Sequence, residues 1–60
     1  MKKVDKEQWF VVGLDVLAND GFARITIDNL CELLQITKGA FYHHFKNIDG
    51  YIDALMKYWL

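Results

Sequence analysis

Apolar side chains recur three and four positions apart along most of this chain, the period of helices that bury one face. Strand-like alternation is confined to Arg24-Ile25-Thr26-Ile27, too short to stand alone. Phe10, Leu14 and Leu17 repeat at i, i+4 and i+7 and predict a first helix from about Val4 to Asn19, with Gly13 beside the stripe. Gly21 fits the position just past the helix end, where the left-handed conformation suits glycine, and Phe22 is placed to fold back onto the last turn. Trp9, Val12 and Val16 lie beside the stripe and are expected to pack against a fourth helix or a further domain.

A second helix is predicted from Ile27 to Leu34. Thr26 is its N-cap and Asp28 sits near the positive end of its dipole. Ile27, Leu30, Cys31, Leu33 and Leu34 are expected inside, with Asp28, Asn29 and Glu32 outside. After a break at Gln35-Ile36-Thr37, with Thr37 as a second N-cap, a short third helix is predicted from Lys38 to about Phe45. Asn47 caps a fourth helix that carries Ile48, Tyr51, Ile52, Leu55 and Trp59 on one face. No stop signal follows Leu55, so the sequence is expected to end inside that helix.

Sixty residues make one domain at most, and so short a chain buries only about 60% of its unfolded surface. The single cysteine, Cys31, cannot form an internal bridge, and with no targeting segment it points to a reducing, cytoplasmic setting. No apolar run approaches the roughly 18 residues of a membrane helix. The apolar fraction of 53% suggests surface meant to meet a partner or a further domain. Net charge is −1, but no acid lies between Leu33 and Ile48, a stretch that holds Lys38, His43, His44 and Lys46. A locally positive segment in a neutral chain is able to bind phosphate.

Two short helices joined by a tight turn, with a helix in front, form a helix-turn-helix arrangement. On a wheel of the third helix, Phe41 and Phe45 point to the core, and Gly39, Ala40 and His43 point away from it. Tyr42 and His44 flank the two sides. Small residues would let the backbone approach a major groove while the flanking side chains reach phosphates. The helix N-terminus adds free amides and a positive dipole.

The stretch TIDNLCELLQITKGAFYHHF, Thr26 to Phe45, resembles the signature of the tetracycline-repressor (TetR) family, and TKGAFYHHF carries most of the match. Phe10 to Phe22, ending NDGF, resembles the family's first helix, and KNIDGYIDAL resembles the start of its fourth. The resemblance implies an all-α, three-helix, homeodomain-like bundle over residues 1–46, with 47–60 starting a fourth helix that leads to a C-terminal effector and dimerisation domain. It implies double-stranded operator DNA as partner, a homodimer for the full-length protein, and a small effector bound only by that further domain. By the same resemblance Thr26 and Thr37 touch phosphates at helix starts, and Lys38, Gly39 and Ala40 face the groove. Tyr42 and His44 hold the backbone, His43 touches a base or a phosphate, and Lys46 sits near a phosphate. Three positions depart from the family pattern: Gln35 replaces a usual turn glycine, Ile48 stands where a basic residue is common, and Ala40 lacks a hydroxyl.

Other readings attach to the same residues. Adjacent His43 and His44 project about 100° apart and do not converge on one metal ion. No nucleophile has a base at useful spacing, so neither an enzyme nor a cofactor is expected. Lys2, Lys3 and Lys6 read as a solvated end before they read as a basic arm. The rivals to a TetR-like repressor are a helix-turn-helix of another repressor family and a helical protein-interaction module that uses Trp9, Leu55, Tyr58 and Trp59.

Overall fold

The structure, a computed structural model, describes residues 4–60. The described residues form α1 (Lys6–Asp20), a 3-10 turn (Phe22–Arg24), α2 (Ile27–Leu34), α3 (Lys38–His44) and α4 (Ile48–Trp59), with no strand among them. None of these helices is long and apolar enough to cross a membrane. The Lys2 and Lys3 end lies outside the described residues.

Helix α1 starts two residues later than its pattern suggests because Asp5 is its N-cap. The Asp5 carboxylate accepts from the Gln8 amide at 3.0 Å, and the Asp5 amide donates to Gln8 Oε1 at 2.9 Å. This reciprocal pair satisfies two amides that an uncapped helix leaves bare. Val4, one position ahead, is buried in the same cluster as Trp9.

The helix ends at Gly21, at φ 91° and ψ 167°. That is a positive-φ extended region open essentially to glycine, not the left-handed helical one expected. The Gly21 amide donates to Val16 O at 3.1 Å. The chain leaves this residue extended and enters the 3-10 turn, so Phe22 stays 57% exposed and does not fold back on α1. Ile25 is the residue that the reversal buries.

The core face of α1 is Trp9, Phe10, Gly13 and Val16, while Leu14 and Leu17 are only half-buried. The stripe Phe10-Leu14-Leu17 is therefore rotated from the true inner face. The aromatic rings of α3 and α4 decide the rotation, since large rings dominate the area a small core buries. Trp9 meets Phe41 edge-on at 5.5 Å and Phe45 at 6.3 Å, so it packs on the third helix as well as beside the fourth. Trp9, Leu30, Phe41, Tyr51 and Leu55 are fully buried.

On α2, Leu30 and Cys31 are buried but Leu33 is 56% exposed, against the expectation that it faces inward. Two turns of helix reach the core only along a narrow strip, and Leu33 lies off it. Helix α4 completes the core. Tyr51 and Leu55 are buried against α1, and the Tyr51 hydroxyl donates to the Trp9 carbonyl at 2.6 Å. The fold is the expected all-α bundle, and the fourth helix adds its buried face to the interior that α1, α2 and α3 share.

Candidate nucleic-acid interface

The turn between α2 and α3 sets the direction of the third helix. Gln35 takes the left-handed conformation, φ 55° and ψ 50°, at the C-cap of α2. Its amide donates to Glu32 O at 3.2 Å and the Ile36 amide donates to Cys31 O at 3.0 Å. The buried Cys31 thiol points across the turn to Thr37 O at 3.7 Å, and burial pushes its pKa up, with Asp28's charge adding to the effect. A thiol so placed is a weak donor and a packing group rather than a nucleophile.

Thr26 caps α2 as expected, its hydroxyl accepting from the Asn29 amide at 3.1 Å. Thr37 departs from expectation. It has the extended backbone of a cap, but its side chain accepts no helix amide. Asn47 does cap α4, accepting from the Gly50 amide at 2.8 Å.

Helix α3 ends at His44, one residue short of the expected Phe45. Phe45 is the C-cap in an extended conformation and turns its ring into the core. With Phe41 it anchors the helix from beneath. Lys38, Gly39, Tyr42 and His43 are exposed, Ala40 and His44 are half-buried, and Lys46 is exposed in the loop before α4. Ala40 is more covered than the wheel suggests, because it packs at the edge of the core.

The candidate residues fall on two sides of the helix. Lys38 and Tyr42 line a concavity of about 310 Å³ with Thr26, Asp28 and Ile48. Ala40, His43 and His44 line another of about 360 Å³ with Val4, Lys6 and Ile36. Gly39 stands exposed, and a Cβ there would meet only the Thr37 hydroxyl, at 3.7 Å. Tyr42 rests its ring edge on Phe41 at 5.4 Å and remains 54% exposed.

Two contacts escaped the sequence reading. Lys38 Nζ lies 2.7 Å from Asp28 Oδ1, and the hydrogen bond and charge of that carboxylate raise the Lys38 pKa. Lys6 Nζ lies 5.5 Å from the centre of the Phe45 ring, so it is drawn to the bundle and is not a loose arm. Neither pairing has a local sequence signal, since each depends on how separate helices cross. Among the described residues no three His, Cys, Asp or Glu side chains gather to hold a metal ion.

The family described as bacterial regulatory proteins, tetR family, matches residues 11–55. The chain belongs to this family. It is 36% identical over 55 residues to the tetracycline repressor protein class G of Vibrio anguillarum, a match covering 92% of this chain and 26% of that protein. It is also 43% identical over 37 residues to the transposon Tn10 TetC protein of Escherichia coli, covering 62% of this chain and 19% of that one. No solved structure matches the chain. The tetR-family match runs from Val11 in α1 to Leu55 in α4 and so includes the whole helix-turn-helix. The chain carries a tetR-like DNA-binding regulatory domain, and it spans about a quarter or less of the curated relatives it matches.

Proposed function

We propose that this tetR-family domain is the operator-reading part of a cytoplasmic transcriptional repressor and that α3 enters the major groove of double-stranded DNA. The observation that carries the reading is the division of α3. Phe41 and Phe45 are buried, while Lys38, Gly39, Tyr42 and His43 are exposed on a short helix whose other side is fixed. Gly39 permits close approach of the backbone to base edges. Tyr42, with a hydroxyl free to donate at 54% exposure, serves a phosphate beside Thr26 and Lys38. Thr37, whose hydroxyl is not used in capping, is available to a second phosphate. His43, His44 and Ala40 meet the opposite groove wall, and Lys46 meets the backbone near the start of α4. The reaction is reversible and non-covalent, with no enzymatic step.

On this view the DNA-reading surface lies within residues 1–46, while 47–60 both close its core through Tyr51 and Leu55 and lead to a domain that dimerises and binds a small effector. A homodimer would set two copies of α3 about one helical turn of DNA apart, roughly 34 Å. A single half-site would then bind weakly, because linked binding of the second half-site is what raises avidity. Titration of the chain with duplex DNA at 50 and 200 mM salt tests the reading. Phosphate contacts make affinity fall steeply with salt. Affinity for DNA that is absent, or insensitive to salt, would instead favour a protein-interaction module, built on Tyr58 and Trp59 at 44% and 67% exposure and without the expected Trp9 and Leu55, which are fully buried.

A further inference from the structure

The ion pair between Asp28 and Lys38 joins the first turn of α2 to the first residue of α3. Its N–O distance is 2.7 Å, yet the two side chains remain 74% and 61% exposed. Pairs this open contribute little to folding. Their position is the informative feature. Both lie on the rim of the concavity that also holds Thr26 and Tyr42, on the side of α3 assigned above to DNA.

A free lysine on that rim would bind any phosphate it met, and such contacts raise affinity for every sequence alike. A carboxylate on the same rim repels phosphate. Toward base edges the two groups behave differently. An aspartate accepts from the cytosine amino group, and a lysine donates to guanine O6 and N7. The pair is therefore neutral toward the DNA backbone, and it offers a donor and an acceptor suited to a base pair.

We propose that Asp28 is a specificity-determining positioning residue: it holds Lys38 in a pair that is neutral toward phosphate, and Lys38 leaves that pair for a base edge in the groove. The inference rests on the DNA-binding reading above. Asp28 lowers sequence-blind binding and so widens the gap between a matched site and random DNA.

The test uses the full chain, Asp28→Asn, Lys38→Met, the double variant, and Asp53→Asn. The last removes a carboxylate from the Asp53–Lys57 pair of α4, at 3.1 Å, and reports the effect of net charge alone. Each is titrated, between 50 and 200 mM salt, with a mixed-sequence duplex and with the duplex that the wild-type chain selects from a randomised pool. Asp28→Asn is expected to tighten mixed-sequence binding roughly fivefold at 0.1 M salt and to steepen the salt slope by about 0.9, one added phosphate contact. The selected duplex gains less, so the specificity ratio falls. In the Lys38→Met background the same substitution gains no more than Asp53→Asn does. A gain equal to that of Asp53→Asn, a gain beyond that control that survives without Lys38, or an unchanged ratio overturns the proposal while leaving DNA binding intact. A wild-type chain that binds neither duplex overturns both readings together.

Discussion

The Tyr51 hydroxyl of α4 donates a 2.6 Å hydrogen bond to the Trp9 carbonyl of α1, and it does so directly over Gly13, where a Cβ would overlap the hydroxyl oxygen. The two helices approach so closely here because one of them has no side chain. Gly13→Ala should therefore destabilise the domain, although alanine favours a helix by about 1 kcal/mol. The added methyl would also crowd Tyr51 Cζ at 3.1 Å and Leu55 Cδ2 at 3.3 Å, and overpacking costs about 1–3 kcal/mol. Tyr51→Phe removes the hydroxyl and should cost about 1 kcal/mol. The double variant should be more stable than the sum of the singles implies, by about 1 kcal/mol in urea denaturation. Strict additivity would mean that the hydroxyl and Gly13 do not share the space.

Burial raises the Tyr51 pKa above its ordinary value of 10.0. The folded chain thus keeps this proton at pH values where the unfolded chain releases it. The stabilisation is complete below about pH 10 and is lost as pH rises beyond it, by up to roughly 1.4 kcal/mol per unit for one proton. Wild-type stability should fall more steeply than that of Tyr51→Phe between about pH 10 and 11.5. Parallel curves would show that Tyr51 ionises freely in the fold.

Gln35 carries a positive φ of 55° without being glycine. A side chain in the left-handed region costs roughly 1 kcal/mol, partly offset in a glycine variant by the greater freedom of its unfolded state. Gln35→Gly should stabilise the domain by about 0.5 kcal/mol and leave DNA affinity unchanged. A lower melting temperature would show that the Gln35 side chain makes a compensating contact.

Gly39→Leu should fold, because the space around this position is open and leucine is the better helix former. It should nevertheless abolish binding to the selected duplex, since the new side chain stands where α3 must approach the groove. Circular dichroism and a DNA titration together check this, and full affinity in the folded variant would remove Gly39 from the interface.

Tyr42→Phe should weaken binding to every duplex alike by about 1 kcal/mol, the worth of one hydrogen bond to phosphate. The ring still rests on Phe41, so the melting temperature should hardly move. Loss of stability with affinity intact would make Tyr42 a packing residue.

Most of the helices, the caps at Thr26 and Asn47, and the motif from Thr26 to Phe45 were legible in the sequence, because each follows from local rules. Apolar spacing, a hydroxyl or amide at a helix start, and a glycine past a helix end all act within a few residues. The same local rules anchored Phe41 and Phe45 and left Tyr42 outside. What the tertiary structure decided is which of several plausible faces won. Helix α1 turned Trp9 inward in place of Leu14, because the rings of Phe41, Phe45 and Tyr51 converge there from other helices. Leu33 and Phe22 were left in solvent by the shortness of α2 and by the extended turn at Gly21. Asp28 met Lys38 because of the angle between α2 and α3, which Gln35 sets with its left-handed backbone. Periodicity fixes a helix and a rough inner side, but contacts between residues far apart in the chain depend on how the helices cross, and only the packed core determines that.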